Sequence, residues 1–101
     1  MYVVNTSFMV NPECHDKWYE LITGRLIPRM RGEGFADYLF TRVLAEDSCP
    51  HYTYSLQVDA ADIPSYQRFT EEIMGEYAEA AGPMFGEGVL YFTSLLKKIE
   101  V

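Results

Sequence analysis

The sequence predicts an α+β domain with the element order strand–helix–strand–strand–helix–strand. Two observations predict it. Tyr2–Val10 and Tyr52–Val58 alternate apolar and polar residues, as strands with one buried face do. Two longer segments repeat apolar residues every three or four positions, as amphipathic helices do.

The first strand reads Tyr2-Val3-Val4-Asn5-Thr6-Ser7-Phe8-Met9-Val10 and ends at Asn11-Pro12. Asn is a good N-cap and Pro suits a first helical position, so helix 1 is expected from about Pro12 to about Ile27. Its apolar positions are Cys14, Trp18, Leu21, Ile22 and Leu26. Pro28 disfavours helical geometry at Ile27 and marks the expected end. Arg29 to Gly34 then reads as a basic loop punctuated by glycine. Strand 2 is expected from Phe35 to about Ala45, and Glu46-Asp47-Ser48-Cys49-Pro50 as a hairpin turn. Strand 3 follows, from about His51 to Asp59. Asp62 caps helix 2, with Pro64 in the first turn. The stripe Ile63, Tyr66, Phe69, Ile73, Tyr77, Ala80 and Ala81 faces inward, while Arg68, Glu71, Glu72, Glu76 and Glu79 lie largely elsewhere. Gly82-Pro83 is expected to interrupt this helix, with a short turn through Met84-Phe85. Strand 4 begins at about Val89.

This order is the ferredoxin-like split βαβ motif. Right-handed crossovers give a four-stranded antiparallel sheet with strands 1 and 3 in the centre and both helices on one face. The helices then cover Val4, Thr6, Phe8 and Val10, with Tyr52, Tyr54, Leu56 and Val58. The opposite face carries Asn5, Ser7, Thr53, Ser55 and Gln57, which are small or neutral where a solvated face would more often carry Lys and Glu. Strand 2 is apolar on both sides, with Tyr38, Phe40 and Leu44 alternating with Leu39, Thr41 and Val43, so both sides are expected to be buried. These features predict a homodimer whose two sheets face each other.

At 101 residues the chain fits one domain over residues 1–101, with enough length for one real core. Hydrophobic residues make up 49% and aromatics 15%, which argues against disorder. The net charge of −7, from 15 acidic and 8 basic residues, argues against nucleic acid and anionic membranes, because phosphate recognition needs clustered Lys and Arg. No apolar run reaches the roughly 20 residues of a membrane span, and no signal peptide is visible. The expected location is cytoplasmic. Cys14 and Cys49 are far apart, and no CxxC or Cys/His spacing points to a metal. Walker, GxGxxG, HExxH, GxSxG and EF-hand patterns are all missing. The expectation is therefore no metal and no cofactor.

Several short pieces together resemble a family of unknown function, domain-of-unknown-function family 4286, a bacterial group. They are Asn5 in strand 1, His15-Asp16-Lys17-Trp18, Ile27-Pro28, Arg42-Val43-Leu44, Tyr54-Ser55-Leu56-Gln57, Phe85-Gly86 and Phe92-Thr93-Ser94-Leu95. The family pattern has a His before the Ile-Pro pair, where this chain has Leu26. It has an Arg before the strand 4 Thr, where this chain has Phe92. The resemblance implies a dimeric α+β barrel and no particular activity. By fold-level analogy the barrel looks like small monooxygenases, haem-degrading enzymes and muconolactone-type isomerases, but fold does not fix function.

The candidate ligand-binding residues are Asn5, Ser7, His15, Trp18, Arg42, Ser55 and Gln57. His15 and Trp18 share one side of helix 1. They either wall a helix–sheet cavity, with His15 as acid, base or ligand contact, or they belong to the core and its edge. Haem-degrading members of the fold use Asn, Trp and His, but Asn5 is expected on the opposite side of the sheet from the other two. Cys14 lies near a helix N-terminus, yet its spacing with Trp18 reads as a buried structural thiol. Arg42 sits in an apolar strand, where it pairs with an acid, holds a carboxylate or crosses the dimer interface. Asn5, Ser7, Thr53, Ser55 and Gln57 either bind a small polar ligand or form a hydrogen-bond network that fixes dimer register. Two functions fit. The first is a homodimeric module that binds a small molecule or a protein. The alternative is a cofactor-independent monooxygenase- or isomerase-like enzyme, which requires a cavity beside Trp18.

Overall fold

The computed structural model describes residues 1–44 and 51–101. The turn expected over Glu46 to Pro50, Cys49, and the expected strand end at Ala45 lie outside the described residues. Four strands, β1 (Tyr2–Val10), β2 (Tyr38–Val43), β3 (Tyr52–Ala60) and β4 (Val89–Lys97), form one antiparallel sheet in the order β2-β3-β1-β4. As right-handed crossovers predict, β1 and β3 are central. Their registered pairs Val4↔Val58, Thr6↔Leu56 and Phe8↔Tyr54 all point into the core. Thr6 is the buried polar residue of that row, and its hydroxyl lies 3.0 Å from the Thr93 hydroxyl of β4. Each hydroxyl thus satisfies the other.

Both helices pack on this face. The first, α1, runs over residues 15–32 as α-helical His15–Leu21, a π turn Ile22–Leu26 and α-helical Ile27–Gly32. It therefore passes straight through Pro28, where the sequence predicts an end, and Arg29 to Gly32 are helical and not a loop. In an α-helix the Pro28 ring would press on the carbonyl of Gly24. Here Gly24 sits in the middle of the π turn, whose closing bond runs from the Ile27 N–H to the Ile22 carbonyl. The widened turn moves that carbonyl out of the way. Termination comes at Gly34, with φ of 92°. The Phe35 N–H returns to the Met30 carbonyl and the Gly34 N–H to that of Arg31, the Schellman pattern. Phe35 is buried in this cap against Phe69, with ring centroids 5.3 Å apart, so β2 starts three residues later than expected.

The second helix, α2, spans residues 63–85 as Ile63–Arg68, a π turn Phe69–Ile73 and Met74–Phe85. Asp62 caps it as expected, its carboxylate accepting from the Ser65 N–H at 2.9 Å. Gly82-Pro83 does not interrupt it. Pro83 forgoes one helical bond, the helix ends at Phe85, and Gly86 turns the chain with φ of 53°. The core comprises Phe8, Trp18, Ile22, Met30, Leu56, Phe69 and Ile73 with their neighbours. Met74 joins the inner stripe of α2, while Ile63 stays at the surface. Strand β2 is the other departure. In the single chain its two faces are not both covered, and Leu39 and Val43 stand open to solvent.

Candidate functional site

The sheet divides the sequence-predicted residues into two groups. His15, Trp18 and Arg42 meet on the helix side. Asn5, Ser7, Ser55 and Gln57 meet on the open side. The parity of β1 and β3 makes this division unavoidable.

On the helix side, His15 opens α1 with its ring lying over the end of β3. Its Nε2 is 2.7 Å from the Tyr54 hydroxyl and its Nδ1 is 3.2 Å from the exposed Asp16 carboxylate. Burial raises the Tyr54 pKa, while the Arg42 charge pulls the other way. The Tyr54 hydroxyl and the Asp16 carboxylate take up the two ring nitrogens of His15. The imidazole packs among rings, with centroids 4.6 Å from Tyr52, 5.7 Å from Tyr54 and 5.9 Å from Tyr19. Arg42 is exposed, and its guanidinium lies 4.4 Å over the Tyr52 ring. The group offers one proton acceptor or donor, aromatic faces and one cation. Trp18 is fully buried below it, and its Nε1–H donates to the Tyr77 hydroxyl at 3.0 Å. That hydroxyl has its pKa raised strongly by burial.

Phe8 and Tyr54 pack closely against Trp18 with tilted rings, their centroids 5.2 Å and 4.8 Å from it. These rings occupy the space that a helix–sheet cavity at Trp18 would need. Asn5 is on the far side of the sheet from His15 and Trp18, so the three do not converge. Cys14 is partly exposed and packs toward Gly88, where an added Cβ would lie 2.6 Å from Sγ. Among the described residues, no three His, Cys, Asp or Glu side chains stand together as a metal site. No helix among them is long and apolar enough to cross a membrane.

On the open side, the Ser55 hydroxyl donates to Asn5 Oδ1 at 2.7 Å, and Asn5 Nδ2 donates to the Ser7 hydroxyl at 3.4 Å. Gln57 is registered opposite Asn5 on β3, and Ser94 opposite it on β4. This neutral strip is half-buried. Exposed apolar side chains flank it, Leu39 and Val43 on β2 and Leu90, Phe92 and Leu96 on β4. Sequence reasoning notes Phe92 alone among these β4 residues, because Leu90-Tyr91-Phe92 and Leu95-Leu96 are apolar runs in which no alternation marks the exposed face. Strand parity assigns Tyr52 and Tyr54 to the core, and the Tyr54 hydrogen bond to His15 joins residues 39 apart in the chain.

Fold and sheet surface together define a ferredoxin-like α+β protein with one helix-covered face and one open face. The chain belongs to the family described as "Domain of unknown function (DUF4286)", whose pattern matches residues 1–99. No functionally curated protein matches it. Among solved structures it is similar to an ethyl tert-butyl ether d (ethd) family protein from Bacillus halodurans C-125. The identity is 18%, with 98% of this chain and 100% of that chain covered and a TM-score of 0.67. It is also similar to two dimeric ferredoxin-like proteins from uncultured marine organisms. One has 14% identity over 99% of this chain and 97% of that chain, with a TM-score of 0.68. The other has 11% identity over 100% and 97%, with a TM-score of 0.66. At these identities the likeness speaks to the fold.

Proposed function

We propose that the protein is a homodimeric binding module, in which the open faces of two sheets meet and the His15 edge of each protomer takes a small molecule. The open face carries this reading. Exposed apolar side chains gathered on one face of a small protein mark an interaction surface. A two-fold axis sets a patch against itself, so a charged strip would repel its own copy. Here the strip is amide and hydroxyl, and its rims are leucine, valine and phenylalanine. Polar groups can pair across the seam at the centre while the rims exclude water. The two dimeric ferredoxin-like proteins of known structure share this fold, which supports the same reading. An enzyme with an interior chamber beside Trp18 is less well supported, because aromatic rings fill that space.

Native mass spectrometry tests both halves at once. The expected result is a dimer, converted to monomer by Phe92→Asp at the rim. A wild-type monomer at micromolar concentration would overturn the facing-sheets reading. Any co-purified ligand should be lost in His15→Ala with the dimer intact.

A further inference from the structure

Between the two helices, on the side away from the sheet, lies a cleft of about 250 Å³. Its lining includes Leu21, Leu26, Ile73 and Tyr77, all nearly or fully buried as residues, so the floor is apolar. Arg25 and Arg29 stand on the α1 rim and Glu76 on the α2 rim. We propose that this cleft binds a monocarboxylate with an apolar tail, the tail on the floor and the carboxylate on Arg25.

Three observations carry the assignment. The first is charge. Arg29 is committed, since its guanidinium holds Glu76 through Nη2 at 2.9 Å and Nε at 3.1 Å and also pairs with Glu33. Among the described residues no acidic group pairs with Arg25. Glu76 and Glu33 thus meet the charge of Arg29, and Arg25 is the cleft's cation left without an acidic partner among the described residues. Such a rim selects one negative group. The second is the backbone. The π turn Ile22–Leu26 supplies Arg25 and Leu26, and the π turn Phe69–Ile73 supplies Ile73. One extra residue in a turn rotates the next stretch of helix by about 100° and re-aims its side chains, and π turns concentrate at functional sites. The third is rigidity and size. The Arg29–Glu76 pair ties α1 to α2 across one end of the cleft, so the walls are set before a ligand arrives. The volume suits a ligand smaller than drug-sized compounds.

Isothermal titration of the intact protein with octanoate, and with octanol as the uncharged control, reads the tail and the head separately. Octanoate is expected to bind at least about tenfold more tightly than octanol, and Arg25→Glu to abolish that difference. Ala80→Trp, which fills the cleft, is expected to abolish both. Its circular dichroism and urea midpoint are compared with wild type, and if it fails to fold the exposed Arg25→Glu variant decides alone. No octanoate binding, equal binding of octanol, or octanoate binding unchanged by Arg25→Glu would each overturn the site.

Discussion

The Tyr77 hydroxyl and the Tyr54 hydroxyl each meet one nitrogen of α1, and burial separates their consequences. Trp18 is fully buried, and its indole N–H has Tyr77 as its partner. Tyr77→Phe leaves that N–H unsatisfied away from water, so a loss of about 1–3 kcal/mol is expected. Urea unfolding at constant m-value measures it. His15 keeps 21% of its side chain exposed. In Tyr54→Phe its Nε2 turns to water instead, and a loss below about 1 kcal/mol is expected in the same assay. Equal losses would mean that the two bonds are equally shielded, against the burial seen. The site residues were only partly legible at this scale. Strand parity already put Asn5 and His15 on opposite sides. No local pattern announces that Tyr54 meets His15, because that contact exists only after a helix has packed on a sheet.

Helix ends show what local sequence can and cannot carry. Asp62 and Gly34 act on their own few residues; Asp62 places its boundary, whereas Gly34 reads as part of a loop once Pro28 is taken to end the helix. Pro28 and Pro83 mislead because the rule that proline ends a helix presupposes α spacing and several further turns. The π turn cancels the first condition at Pro28, and the helix end cancels the second at Pro83. The cap has a pH signature. Hydrogen bonds from the Ser65 hydroxyl and N–H hold the Asp62 carboxyl below its ordinary value of 3.8. A carboxyl depressed in the folded state stabilises above its unfolded pKa, and that contribution fades as pH falls through the folded one. Asp62→Asn keeps a cap without the titration. The wild-type advantage in urea midpoint should therefore be constant above about pH 5 and shrink toward pH 3. The start of α1 offers a test of docking. Gly88→Ala places a Cβ 2.6 Å from Cys14 Sγ, so a loss of about 1–3 kcal/mol is expected. Cys14→Ala removes that atom, leaving the Cys14 Cβ at 4.0 Å, and the double variant should recover part of the loss. Additive losses in the double-mutant cycle would show that the contact is not the cause.

For the whole molecule, dimerisation couples stability to concentration. If folding and association are linked, Tm rises as protein is added. Scanning calorimetry over a hundredfold dilution is expected to show that rise for wild type and a flat response for Phe92→Asp. A flat response in wild type would count against the dimer. The strand order has a separate consequence, for synthesis. Strand β1 lies between β3 and β4, paired from Tyr2↔Ala60 to Val10↔Tyr52 on one side and from Tyr2↔Lys97 to Val10↔Val89 on the other. Both flanking strands leave the ribosome after it, and β4 is the last of the four. Until β4 emerges, β1 presents an unpaired edge beside an apolar face, the arrangement most prone to recruit a neighbouring nascent chain. A ribosome stalled before Val89 would thus release a product with its central strand half-clothed, and that fragment is a natural client for chaperones.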